Sequence, residues 1–151
     1  MVTVPLAQRL LAAGLVWDPH PGDRFVIPGR EMDDDVFVVS QMVVDVHEFP
    51  DGRVIGFNGT TEWAMDSLEL TEALWLPWEG QLREQLGVRF AGLWRDGDEW
   101  VVAVENVAPQ GIPERELAPG YTDPDESVRE YRDPDCESAY AAALLSVLDF
   151  A

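Results

Sequence analysis

Apolar residues recur along this chain with two different periods, and the alternation between them outlines the fold. Leu6, Leu10 and Ala13 share one face of a helix that Thr3 can cap, that tolerates Pro5 in its first turn and that Gly14 can end. Trp17-Asp18-Pro19-His20-Pro21-Gly22 is turn chemistry. Phe25-Val26-Ile27 and Val36-Phe37-Val38-Val39 then read as short strands around an acidic connection, Glu31 to Asp35. Met42 to Phe49 and Arg53 to Phe57 form a hairpin about Pro50-Asp51-Gly52, where Pro sets the first turn position and Gly tolerates a positive φ. Residues 61–70 fit strand or helix, with a strand favoured at Glu62-Trp63-Ala64-Met65 because an Asn-Gly turn precedes it.

Trp75-Leu76-Pro77 is expected to open a helix whose Trp78, Leu82 and Leu86 repeat every fourth position before Gly87. A second hairpin, Val88 to Arg95 and Glu99 to Val104, is expected to turn at Asp96-Gly97, pairing Arg95 with Asp98 and Leu93 with Trp100. From Val107 to Arg132 Pro, Gly and acidic residues dominate, which predicts a loop or flap with a short helix as an option over Glu126 to Tyr131. Asp133 as a cap and Pro134 as a first-turn proline then start a last helix with Tyr140, Ala143, Leu144, Val147 and Leu148 on its buried stripe. The expectation is a single α+β domain over 1–151, an antiparallel sheet of about five or six strands with N-terminal, middle and C-terminal helices packed on it. With 46% hydrophobic residues and six Trp, the chain has ample material for a core.

Charge narrows the chemistry. The sequence carries 29 Asp and Glu against ten Arg and no Lys, a formal net charge of -19. Without Lys there is no Schiff base and no phosphate loop of the G-x-x-x-x-G-K-[ST] kind. Nucleic acid and anionic membranes are disfavoured as partners, because both reward cationic surfaces. No apolar run approaches the roughly 20 residues of a membrane span, and no signal-like segment opens the chain, so a cytoplasmic location is expected. Cys136 is the only cysteine, which removes intrachain disulfides and cysteine-based metal clusters.

The candidate sites are few. Glu31, Asp33, Asp34 and Asp35 offer hard oxygen ligands for Mg²⁺ or Ca²⁺ but lack calcium-loop spacing, and a solvated turn is the favoured reading. Asp45 and His47 stand two apart on a strand, so they share a face where a proton-transfer or ligand pair could sit. His47-Glu48 lacks the second His of H-E-x-x-H, and a structural role is favoured. Cys136 is expected to be a plain thiol, since Asp135 and Glu137 oppose the help of the helix dipole. Trp75 and Trp78 flank Pro77 and are the candidate partner-binding residues, with Trp78 more simply a core residue on the Leu82 and Leu86 stripe. No cofactor is expected.

One resemblance adds to this reading. Met32-Asp33-Asp34, Val36 to Ser40, His47-Glu48-Phe49-Pro50, Gly52 to Ala64, Ala73-Leu74-Trp75-Leu76-Pro77, Gln81-Leu82-Arg83, Leu86-Gly87 and Ala139 to Leu145 carry it. In these segments the chain resembles the small acidic actinobacterial proteins named "pilus assembly protein CpaE". The resemblance implies association with pilus assembly and not the ATPase activity, which needs a lysine-bearing phosphate loop. A fainter likeness is to small phage-type α/β sandwich domains, which bears on fold alone. The expected function is a non-catalytic acidic adaptor that binds another protein. An immunity or antitoxin-like inhibitor of a basic enzyme is the alternative. A metal-dependent enzyme stands third.

Overall fold

The computed structural model describes residues 1–29, 31, 34–40, 44–57, 67–106 and 127–149, by backbone alone at 44, 45, 47, 56, 57, 67 and 68. The chain is an α+β protein that gathers into two compact units, Met1–Trp78 and Glu79–Ala151. The first holds helix α1 (Val4–Ala12), strands β1 (Arg24–Val26), β2 (Phe37–Val38), β3 (Val44–Phe49), β4 (Gly52–Phe57), β5 (Ser67–Glu69) and β6 (Leu74–Leu76), and a 3-10 turn at Leu70–Glu72. The second holds helix α2 (Glu79–Leu86), a 3-10 turn at Gly87–Arg89, strands β7 (Phe90–Asp96), β8 (Glu99–Glu105) and β9 (Val128–Asp133), and helix α3 (Cys136–Leu148). Every described strand pair is antiparallel. In place of one sheet of five or six strands, the described residues form three sheets of three, in the orders β2-β1-β6, β3-β4-β5 and β7-β8-β9.

In the first unit α1 packs against β6 and buries Ala7 and Leu10. A Schellman motif ends this helix: Leu15 N–H donates to Leu10 O at 3.0 Å, Gly14 N–H donates to Leu11 O at 3.0 Å, and Gly14 adopts φ +98°. An L-residue would be strained there, so the glycine fixes where the chain turns. One core cluster of Trp17, Phe25, Ile27, Val39, Ile55 and Ala73 draws on both sheets of this unit. Its rings pack at 5.7 Å for Trp17 with Phe25 and 5.5 Å for Phe25 with Phe37, separations at which aromatic pairs attract beyond their buried area. The β3–β4 hairpin turns through Pro50 and Asp51, with Gly52 (φ +139°) already paired to Phe49.

In the second unit α3 lies on β8 and β9, and α2 packs against α3. Val101, Val102, Val104, Leu82, Tyr140 and Leu144 are almost wholly buried between them. Burying one such aliphatic side chain contributes about 1.5–3 kcal/mol.

Five local expectations are corrected. Leu74–Leu76 is strand β6, because Leu74 and Leu76 are buried while the run pairs with Val26 and Arg24 of β1; Pro77 then separates strand from helix. Trp78 therefore precedes α2 and is not on its stripe, which is Leu82 and Leu86. The second hairpin turns at Gly97-Asp98: Asp96 pairs with Glu99, Arg95 with Trp100 and Leu93 with Val102. Gly97 supplies φ +62° at the first turn position, as a II′ turn requires, and this outcompetes an Asp-Gly turn one residue earlier. Val128–Asp133 is a strand, not a short helix, since its backbone completes a ladder with β8 over six pairs. The last helix is capped by Asp135 and not by Asp133, and Pro134 precedes it: Asp135 Oδ1 accepts from Ser138 N–H at 2.9 Å, while Asp133 Oδ1 accepts from Asp135 N–H at 2.8 Å and so holds the cap residue itself. The expectations over 58–66, including the strand at 62–65, and over 107–126 lie outside the described residues. Among the described residues no helix is long and apolar enough to cross a membrane.

Candidate functional site

The last turn of α1 and the segment after it leave apolar side chains facing water. Leu11 is 57% exposed and Val16 77% exposed, on either side of the buried Leu15. They border an apolar depression of about 390 Å³, whose other walls include Leu15, Trp17, Leu74 and Trp75. Thr71 and Leu70, from the 3-10 turn, close one side. The described lining residues all belong to the first unit and carry no formal charge.

Two contacts position the tryptophans of this depression. The Trp17 indole stacks on Trp75 with centroids 6.4 Å apart and planes within 7°. Trp17 Nε1–H also donates to Asp23 Oδ2 at 2.9 Å, and the same oxygen accepts from His20 N–H at 2.9 Å. Asp23 is buried, and these donors help stabilise its carboxylate there. Trp75 Nε1 is buried with no hydrogen-bond partner among the described residues. Its wall is therefore slightly under-satisfied, a condition that native cores usually avoid.

Trp78, the other candidate, is 43% exposed. Its Nε1–H donates to Gly22 O at 2.9 Å, and the Arg24 guanidinium lies 3.5 Å from its ring centroid. Arg24 is itself buried and donates to Pro77 O at 3.1 Å and Leu76 O at 3.4 Å. Trp78 is thus the outer lid of a buried cation, tying the 20–24 turn to the end of β6. Sequence reasoning missed both Asp23 and Arg24, because a charged pair after a Pro-Gly turn looks like surface until tertiary pairing buries it.

A second depression, of about 590 Å³, lies between the β3–β4 turn and the same 3-10 turn. Phe49, Asp51, Arg53 and Glu69 line it together with Leu70 and Thr71, which it shares with the first. Phe49 is 47% exposed. Arg53 donates to Asp18 Oδ1 at 2.7 Å and to Trp17 O at 3.2 Å, so its charge is directed away to the Trp17 segment.

The remaining candidates are only partly described. Glu31, Asp34 and Asp35 are exposed on the β1–β2 connection, Glu31 with φ +58°; Asp33 lies outside the described residues. Asp45 and His47 occupy alternate positions of β3, opposite Gly56 and Val54, and their side chains are outside the described set. Among the described residues no three His, Cys, Asp or Glu side chains group as metal ligands would. In the second unit burial pushes the Cys136 thiol up to about 11, helped by Glu79, Asp135 and Glu137. At neutral pH it is a thiol and a poor nucleophile. Tyr140, stacked on Phe90 at 5.9 Å, is pushed up to about 12 by burial and then by Glu79, against Arg83.

No protein-family model, curated protein or solved structure matches the chain.

Proposed function

We propose that this chain is a non-catalytic protein-interaction domain, an acidic adaptor that receives a partner in the Trp17 and Trp75 depression. The observation that carries this reading is the placement of Leu11 and Val16, largely exposed, on the border of an uncharged cavity walled by stacked indoles. Exposed aliphatic side chains beside a pocket with stacked aromatic walls are the composition of an interface centre. Trp75 is a wall of this site, while Trp78 serves it indirectly by locking β6 through Arg24. A thiol held protonated at neutral pH gives no support to nucleophilic catalysis at Cys136. The likeness to the small proteins named for pilus assembly supports that process as the setting, with the cytoplasm as the compartment.

The test is affinity purification of the tagged chain from its source cells, compared by quantitative mass spectrometry with Val16→Asp. A protein recovered with the parent chain and lost with Val16→Asp, at unchanged circular dichroism, supports the adaptor. Equal recovery with both chains contradicts it. A basic nuclease or toxin whose recovery survives Val16→Asp but disappears in salt favours the inhibitor instead.

A further inference from the structure

The two depressions of the first unit meet along one edge. Leu70 and Thr71 line both, so the Leu70–Glu72 turn is the ridge between an uncharged cavity and a second one with a charged border. Asp51 and Glu69 line the second, and Glu72 stands exposed on the ridge. Among the described residues, Arg53 is the one cation lining either depression, and Asp18 holds it at 2.7 Å. Glu69 and Glu72 form a reciprocal capping box, the side chain of each accepting from the backbone of the other, which fixes both carboxylates on the ridge. Phe49 offers apolar surface at the far side.

We infer that the occupant of this surface is a cationic amphipathic segment of a partner protein, which seats an apolar anchor between Val16 and Trp75, crosses the ridge and places Lys or Arg against Asp51 and Glu69. This rests on the adaptor reading and specifies its partner. The charge complementarity is local as well as global: apolar on one side of the ridge, anionic on the other, in a chain with a formal net charge of -19. Neither half suffices for specificity. Carboxylates alone attract any cation weakly and in a screened way, and an apolar cavity alone does not choose among apolar side chains.

The experiment uses the full chain and four synthetic amphipathic peptides of about 15 residues, a length suited to groove binding. The first carries Leu at helical spacing with Lys between; the second replaces Lys by Gln, the third replaces Lys by Glu, and the fourth keeps Lys and replaces Leu by Ser. Fluorescence anisotropy gives each Kd. The Leu/Lys peptide should bind at least about tenfold more tightly than the other three, a difference of about 1.4 kcal/mol. Leu11→Glu and Val16→Asp should each weaken it by about tenfold or more, although both add negative charge and would tighten purely electrostatic binding. Asp51→Asn with Glu69→Gln should weaken the Leu/Lys peptide about fivefold and leave the Leu/Gln peptide unchanged, since Gln keeps the cap acceptor. Asp98→Asn with Glu99→Gln, which removes equal charge from the β7–β8 turn, should change neither.

Equal affinity for the Leu/Lys and Leu/Gln peptides, both lost in Val16→Asp, overturns the cationic specificity and leaves the adaptor reading standing. Binding of the Lys/Ser peptide as tight as that of Leu/Lys, unaffected by Val16→Asp, overturns both. No binding of any peptide up to about 1 mM overturns the inference alone, because the purification with Val16→Asp judges the adaptor separately.

Discussion

Removing Trp78 probes the lock that positions β6 beneath the apolar depression. A little over half of the indole is covered, and about 25 cal/mol per Å² over about 100 Å² gives about 2.5 kcal/mol as an upper bound. The Nε1–H bond to Gly22 O contributes about 1 kcal/mol, and the Arg24 stack about 1 kcal/mol at this partial exposure. Relaxation of the turn recovers part of this, so Trp78→Ala should cost about 3 kcal/mol in urea unfolding followed by circular dichroism. Trp78→Phe keeps a ring over Arg24 and loses the donor, so about 1 kcal/mol is expected. A double-mutant cycle with Arg24→Met isolates the stack and should return a coupling of about 1 kcal/mol. A loss below about 0.5 kcal/mol for Trp78→Ala, or a coupling indistinguishable from zero, refutes the lock and returns Trp78 to the solvent-facing surface.

Three further outcomes follow from the second unit and from the charge. Asp135→Ala removes the cap acceptor of α3 and should cost about 1 kcal/mol by the same unfolding assay, whereas Asp135→Asn should cost less. Folding raises the Cys136 value from 9.0 to about 11, so the stability it contributes is complete below pH 9 and is lost as pH climbs through that window. Chemical denaturation at stepped alkaline pH should show a decline that Cys136→Ala reduces, and iodoacetamide at pH 8 should alkylate the native thiol at least about tenfold more slowly than the urea-unfolded one. A flat profile or equal rates contradict the raised, half-buried thiol. Screening among 29 carboxylates should raise the melting temperature as the Debye length falls from about 30 Å to 8 Å, with Mg²⁺ and Ca²⁺ adding nothing beyond ionic-strength controls. A saturable increment abolished by Asp33→Asn with Asp35→Asn would instead establish a metal site on the acidic connection.

Local chemistry wrote the parts of the fold that could be read. Gly14 stops α1 because only glycine takes φ +98° cheaply, and Pro50-Asp51-Gly52 turns the β3–β4 hairpin for a related reason. Where two local signals compete, tertiary structure decides. Asp96-Gly97 and Gly97-Asp98 are both valid two-residue turns, and the choice sets the register of β7 on β8. The fourfold spacing of Trp78, Leu82 and Leu86 is real, but Pro77 and the pairing of Leu74–Leu76 with β1 delay the helix until Glu79. β9 has exposed charged positions and owes its order to its ladder with β8, helped by Arg132 bonds to Asp96 and Glu130, none visible in composition. Of the site, Trp75 was legible as an aromatic beside proline. Leu11, Val16 and the buried Asp23 were not, since a helical stripe does not say which apolar neighbours remain uncovered.

The central claim is that partners dock where Val16 meets the Trp17 and Trp75 walls, and site-specific photocrosslinking in the source cells reads this directly. A benzophenone amino acid at position 16 is compared with one at Val88, which is 91% exposed and belongs to the second unit. The account predicts a discrete crosslinked species from position 16, absent from position 88 and lost when Leu11→Glu is added. Equal crosslinking from both positions, or none from position 16, would contradict it.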